Sequence, residues 1–139
     1  MADMTMVLFI DVFDPGVDIR FVSNYKDYSR ILRATGFECY NRIIGDREYL
    51  IYCDEFGALK SDRLVSAVDT RQNPAFYGNL IIERVDEYGE SVSLEYEDVN
   101  YILNFIRTGY YPLTGHRYPV LVDIGYPGPK LDLSDFFDQ

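Results

Sequence analysis

Tryptophan is missing from this chain, histidine occurs once, cysteine twice and lysine three times, and each shortage closes a route to function. One histidine and two thiols cannot complete a four-ligand zinc site without carboxylates. The histidine, His116, falls in Leu113-Thr114-Gly115-His116-Arg117, a loop with no acidic or nucleophilic neighbour in sequence, and reads as structural. No Gly-x-Gly-x-x-Gly, phosphate-binding loop or Gly-x-Ser-x-Gly occurs. Carboxylate pairs are too numerous for one to stand out as an acid–base couple. The expectation is a non-enzymatic protein with no catalytic residue, no metal and no cofactor.

Positive charge is also scarce. Thirteen Lys and Arg face 23 Asp and Glu, a net charge of −10. Direct binding to nucleic acid needs cations that displace counterions from phosphates, and an anionic membrane surface makes the same demand. Both are therefore excluded as ordinary partners. A basic protein partner, or mimicry of nucleic acid, is compatible with the charge; so is solubility alone. No stretch reaches the roughly 18 apolar residues of a membrane span. The start, Met1-Ala2-Asp3-Met4, lacks the basic segment of a secretory leader, and the apolar run after it covers only Met6 to Ile10. The chain reads as intracellular and cytoplasmic.

What the chain has in abundance is Tyr and Phe, 13 and 9 of its 139 residues. Residues 5–12 are β-rich and almost continuously apolar, as an interior strand is. Asp14-Pro15-Gly16 marks a turn, and Val17 to Val22 fits a short strand. A helix is expected over 24–35, with Ser23 or Asn24 as N-cap and Gly36 past its end. Strands follow over Phe37 to Ile44 and Glu48 to Cys53, a short element closes near Ala67 or Val68, and Gly78 to Val85 and Ser91 to Leu94 are strands again. Residues 95–107 carry the clearest helical stripe, Val99, Ile102, Leu103 and Ile106, with acids in the first turn, Arg107 in the last and Gly109 as the stop. An irregular Pro/Gly/Tyr-rich stretch from Tyr110 to Tyr118 leads to a final strand, Pro119 to Ile124. The fold class is α+β, a mainly antiparallel sheet with two helices, as one domain over 1–126. Tyr126-Pro127-Gly128-Pro129 forms a stiff spacer before a tail, so that 127–139 stand apart as an acidic aromatic segment.

The turn at Gly45-Asp46 decides how the two cysteines lie. A three-residue loop, Gly45 to Arg47, puts Cys39 and Cys53 directly opposite each other; a two-residue loop puts them on opposite faces. Reduced, buried thiols are the expectation inside a cell. Two tetrapeptides, Asp54-Glu55-Phe56-Gly57 and Asp86-Glu87-Tyr88-Gly89, each follow an apolar strand. Turn chemistry accounts for both: Asp starts the turn and Gly accepts positive φ. Neither has the alternating acids of a calcium loop.

Three passages carry a resemblance. Tyr52-Cys53-Asp54-Glu55-Phe56-Gly57-Ala58-Leu59 resembles a strand with an Asp/Asn-Glu-x-Gly-Lys-Leu turn. Phe76-Tyr77-Gly78-Asn79-Leu80-Ile81-Ile82 resembles a Gly-initiated strand. Val85 to Glu90, with Ser93-Leu94-Glu95-Tyr96-Glu97-Asp98-Val99, resembles a closing turn and an acidic-capped helix. Together, over about residues 38–106, they look like a small phage- and plasmid-borne family known only as a domain of unknown function. In that family a Pro-x-Asn-Arg segment stands where this chain has Lys60-Ser61-Asp62-Arg63. The resemblance implies a fold and an origin on mobile elements, and carries no catalytic residue.

Two stretches are candidate interaction sites. Glu83, Asp86, Glu87, Glu90, Glu95, Glu97 and Asp98 crowd into sixteen residues against a single Arg84. If strand, turn and helix start lie together, these carboxylates can imitate a phosphate array; a solvated face with a helix cap is the plainer account. The tail Lys130-x-x-Leu133-x-x-Phe136-Phe137 resembles a sliding-clamp docking peptide, with Lys where Gln is usual. One helical turn sets Leu133 beside Phe136 and Phe137 as an apolar plug, while Asp135 and Asp138 supply charge. Packing on its own domain is the alternative for the tail. Three functions are thus expected: an acidic inhibitor of a host nucleic-acid-handling or defence protein, a DNA mimic occupying its basic surface; a replication or transcription adaptor on a sliding clamp; or a nucleotide-sequestering protein using Arg42, Arg47, Arg63, Arg71 and Arg84 with tyrosines.

Overall fold

Short runs of β-branched and aromatic residues between turn residues favour strands over helices, and the computed structural model, which describes residues 4–127, is mostly sheet. Strands β1 (Thr5–Asp11) and β2 (Gly16–Val22) form a hairpin, as do β3 (Phe37–Ile44) with β4 (Arg47–Asp54) and β5 (Val65–Asp69) with β6 (Pro74–Tyr77). Then come β7 (Leu80–Val85), the two-residue β8 (Ser91–Val92), β9 (Ile106–Tyr111) and β10 (His116–Gly125). Helix α1 (Tyr28–Leu32) follows β2, and α2 (Tyr96–Leu103) follows β8. The strands lie in the order β2-β1-β7-β4-β3-β10-β5-β6, with β8 on β7 and β9 on β10. Every pairing is antiparallel except that of β10 with β5. The arrangement is α+β in the broad sense.

The middle strands are buried on both faces, which is why Met6 to Ile10 reads as unbroken apolar sequence. Met6, Leu8 and Ile10 join Ile82, Ile51 and Leu121 in the larger core, closed at one end by Val99 and Ile102 of α2. Val7, Phe9, Leu50 and Ile81 point the other way, under Tyr28 and Leu32 of α1. Each fully buried Ile or Leu contributes about 1.5–3 kcal/mol. The sheet curls, so that His116 at the start of β10 returns to β1: its Nε2 lies 2.7 Å from the Val12 carbonyl oxygen, and its ring stacks on Tyr118. β10 changes neighbours along its length, with a register shift between Leu121 and Ile124 and Asp123 left-handed at φ 59°.

Several expectations are corrected. The first helix does not run over 24–35: a 3-10 turn, Tyr25–Asp27, capped by Asn24 leads into α1, and Arg33 at φ 58° ends it before Gly36. The second does not reach 107. Asn104 caps it, and Ile106 and Arg107 belong to β9 because pairing with β10 outweighs the helical period. Gly109 is a strand residue opposite Tyr118, and a Cβ there would lie 2.5 Å from Val120 Cγ2 and 3.1 Å from the Tyr118 ring. Tyr110 to Tyr118, expected to be irregular, forms the tip of the β9–β10 hairpin, with His116 paired to Tyr111 and Arg117 to Tyr110. The β3–β4 loop is the two-residue one: Ile44 pairs with Arg47, and Gly45 takes φ 66° as a primed turn with glycine first requires. Cys39 therefore pairs with Tyr52, Cys53 with Glu38, and the thiols lie on opposite faces, Cys53 buried and Cys39 exposed.

Candidate functional site

The start of β4, the end of β7 and the first turn of α2 meet at one end of the sheet. They enclose a cleft of about 430 Å³. Its carboxylates are Glu48, Asp86, Glu87, Glu95, Glu97 and Asp98, and its cations are Arg47 and Arg84, an excess of four negative charges. Register explains the meeting: Tyr49 lies opposite Arg84 across β4 and β7, and the β7–β8 turn brings the chain back to the helix start.

Asp98 is the hub of this end. Tyr49 donates its phenol hydrogen to Asp98 Oδ1 at 2.9 Å, and the Glu95 backbone N–H donates to Oδ2 at 2.9 Å. The Glu95 side chain accepts from the Asp98 backbone in return, a reciprocal cap that satisfies two helix-terminal donors. Arg84 Nε stands 3.6 Å from Asp98 Oδ2 and donates to the Ser93 carbonyl at 3.2 Å. Arg47 bonds Glu97 at 2.9 Å and lies 4.1 Å from the centroid of the Tyr101 ring. Burial, then the Asp98 carboxylate, pushes the Tyr49 phenol well above its ordinary value.

Not all seven expected carboxylates reach this surface. Glu87, Glu90, Glu95 and Glu97 are exposed and Asp86 half-buried. Glu83 is 3 % exposed and Asp98, though it lines the cleft, 6 %, so neither presents its carboxylate to bulk solvent. The reason for Glu83 is strand alternation: it shares a face with Leu50 and Ile81, beneath α1. There it accepts hydrogen bonds from the hydroxyls of Tyr28, Tyr52 (3.0 Å) and Ser91. Three hydroxyl donors satisfy a carboxyl group that would be costly to bury unpaired. Burial first, then Glu83, raises the Tyr28 and Tyr52 phenols.

Both Asp-Glu-aromatic-Gly segments are turns begun by their aspartates. Asp54 Oδ1 accepts from the Phe56 N–H, and Asp86 Oδ1 from those of Tyr88 and Glu90, each at 2.9 Å. Only the second uses a left-handed glycine, Gly89 at φ 81°. Gly57 is needed for space, since a Cβ there would lie 2.8 Å from the Tyr77 carbonyl oxygen.

Of the five arginines weighed for nucleotide binding, Arg47 and Arg84 share the cleft, where carboxylates already engage both. Arg42 lies in a separate hollow, its guanidinium 4.7 Å from the Tyr126 ring centroid and 4.9 Å from that of Tyr40. The tail residues Lys130, Leu133, Asp135, Phe136, Phe137 and Asp138 lie outside the described residues. Among the described residues no group of three or more His, Cys, Asp or Glu is arranged to hold a metal ion, and no helix is long and apolar enough to cross a membrane. Sequence reasoning missed Tyr49 as part of the site; only its register opposite Arg84 reveals it. No family model, curated protein or solved structure significantly matches the chain.

Proposed function

We propose that the protein is a non-enzymatic, acidic interaction protein of a mobile element, inhibiting a host nucleic-acid-handling or defence protein by occupying its basic surface. The observation that carries this reading is the cleft rim, where Asp86, Glu87, Glu95 and Glu97 stand around Arg47 and Arg84 with net negative charge. Glu90, exposed and in the same turn as Asp86, adds negative charge beside the cleft without lining it. The hub at Asp98 ties β4, β7 and α2 together, so the backbone carrying the carboxylates of the helix start is ordered before a partner binds. Complementary charge then speeds encounter and discriminates against acidic surfaces. The resemblance of residues 38–106 to a phage- and plasmid-borne family supplies the mobile-element part of the proposal.

Capture from host-cell extract on the immobilised chain, identified by mass spectrometry, tests it. The principal captured protein is a nucleic-acid-binding one, its affinity falls steeply with added salt, and duplex DNA displaces it. Replacing Glu87, Glu90 and Glu97 by Gln weakens capture by about tenfold to a hundredfold. An affinity indifferent to ionic strength, or binding that survives saturation of the partner with DNA, refutes the reading.

A further inference from the structure

β2 is an edge strand, and among the described residues nothing pairs with its outer side. Its neighbour fixes which backbone groups are free. Met6 N–H donates to Ser93 Oγ at 2.8 Å, the Met6 carbonyl accepts from Leu94 at 2.9 Å, and Val12 N–H donates to Asn79 Oδ1 at 2.8 Å. The even-numbered residues of β1 therefore turn their backbone groups away from β2. Hydrogen bonds to β2 fall at Thr5/Val22, Val7/Arg20, Phe9/Asp18 and Asp11/Gly16. By the alternation of an antiparallel ladder, the N–H and C=O of Val17, Ile19 and Phe21 point outward.

The side chains of β2 divide cleanly. Ile19 and Phe21 lie opposite Leu8 and Met6, and are 37 % and 55 % exposed. Asp18 and Arg20 lie on the other face, exposed, and neither forms an ion pair among the described residues. Sheet edges are ordinarily guarded by charged side chains, lysine above all, by proline or by a bulge. β2 has no lysine, proline or register shift, and its two charges, Asp18 and Arg20, are of opposite sign, so against a second copy they can attract rather than repel.

We infer that β2 is a self-association edge, through which two copies of this chain pair antiparallel about a two-fold axis at Ile19. Charge selects the register. With Ile19 against the partner's Ile19, Val17 meets the partner's Phe21 and Phe21 the partner's Val17. These are three pairs of two backbone bonds, six bonds in all. Asp18 then faces the partner's Arg20, and Arg20 the partner's Asp18. Moving the axis to Phe21 sets Arg20 against the partner's Val22, and moving it to Val17 sets Asp18 against the partner's Gly16 and carries Arg20 past the end of the partner's strand to the turn residue Asp14; neither Asp18–Arg20 pair survives. The strand is also neutral on a chain of net charge −10, so copies approach where repulsion is least. β1 separates this edge from β7 and the acidic cleft, so the inference is independent of the proposed function.

Sedimentation equilibrium of the full chain at about 100 µM tests it, a concentration that resolves micromolar association. The expected mass is twice 16.2 kDa. Asp18→Arg places two arginine pairs face to face and weakens association by about tenfold or more. Adding Arg20→Asp to it restores complementarity, and with it the dimer. Both positions are exposed, and circular dichroism checks that each variant is folded. A monomer at that concentration, association untouched by Asp18→Arg, or a folded exchanged pair that stays monomeric overturns the inference.

Discussion

Carrying the protein from neutral to strongly alkaline solution makes its buried phenols decide stability. Tyr28, Tyr49 and Tyr52 are 1 %, 1 % and 9 % exposed. Tyr28 and Tyr52 donate to Glu83 and Tyr49 to Asp98, so ionising any of them sets a phenolate against a carboxylate. Burial, and after it the neighbouring carboxylate, raises all three above the ordinary 10.0. A group whose folded pKa is raised contributes stability that is whole below the unfolded pKa and is lost as pH rises toward the folded one, because only the unfolded chain releases its proton in that window. One proton per phenol gives a slope of about 1.4 kcal/mol per pH unit, and three give about 4. Against a total stability of roughly 5–15 kcal/mol, unfolding falls within about one to four units above pH 10. Tyrosinate absorbance and far-ultraviolet circular dichroism, followed together, check this. The buried phenols ionise in a late step that coincides with loss of sheet signal. If all 13 tyrosines titrate in one band near the ordinary value while the sheet signal persists, the reasoning fails.

Two further outcomes follow from the same geometry. Asp98→Ala removes the side-chain half of the reciprocal cap and strands the Tyr49 hydroxyl, costing about 3 kcal/mol in urea unfolding, whereas Asp98→Asn keeps one of the two acceptors and costs less; equal losses would contradict the hub. In the folded protein a thiol reagent modifies Cys39 and spares Cys53, whose thiol is pushed up to about 12 by burial first and then by Glu38 and Asp54; two equally fast thiols would contradict the register of β3 and β4.

Local chemistry settled a good part of this molecule. The unbroken apolar run of β1, the hairpin around Gly45-Asp46, the aspartates that open both Asp-Glu-aromatic-Gly turns and the acidic start of α2 were all legible, because each depends on neighbours within a few residues. The sequence could not say where α2 stops, since Ile106 suits the helical stripe and the strand equally and only pairing with β10 chooses. Nor could it separate Glu83 and Asp98 from their exposed neighbours. Carboxylates crowded in sequence look alike; strand alternation turned Glu83 toward Tyr28, Tyr52 and Ser91, and the meeting of β4, β7 and α2 turned Asp98 toward Tyr49, Arg47 and Arg84. Composition determined that this chain carries excess negative charge. Which of those charges reach solvent, and around which cleft they gather, was decided by long-range strand pairing, which leaves no mark in short windows of sequence.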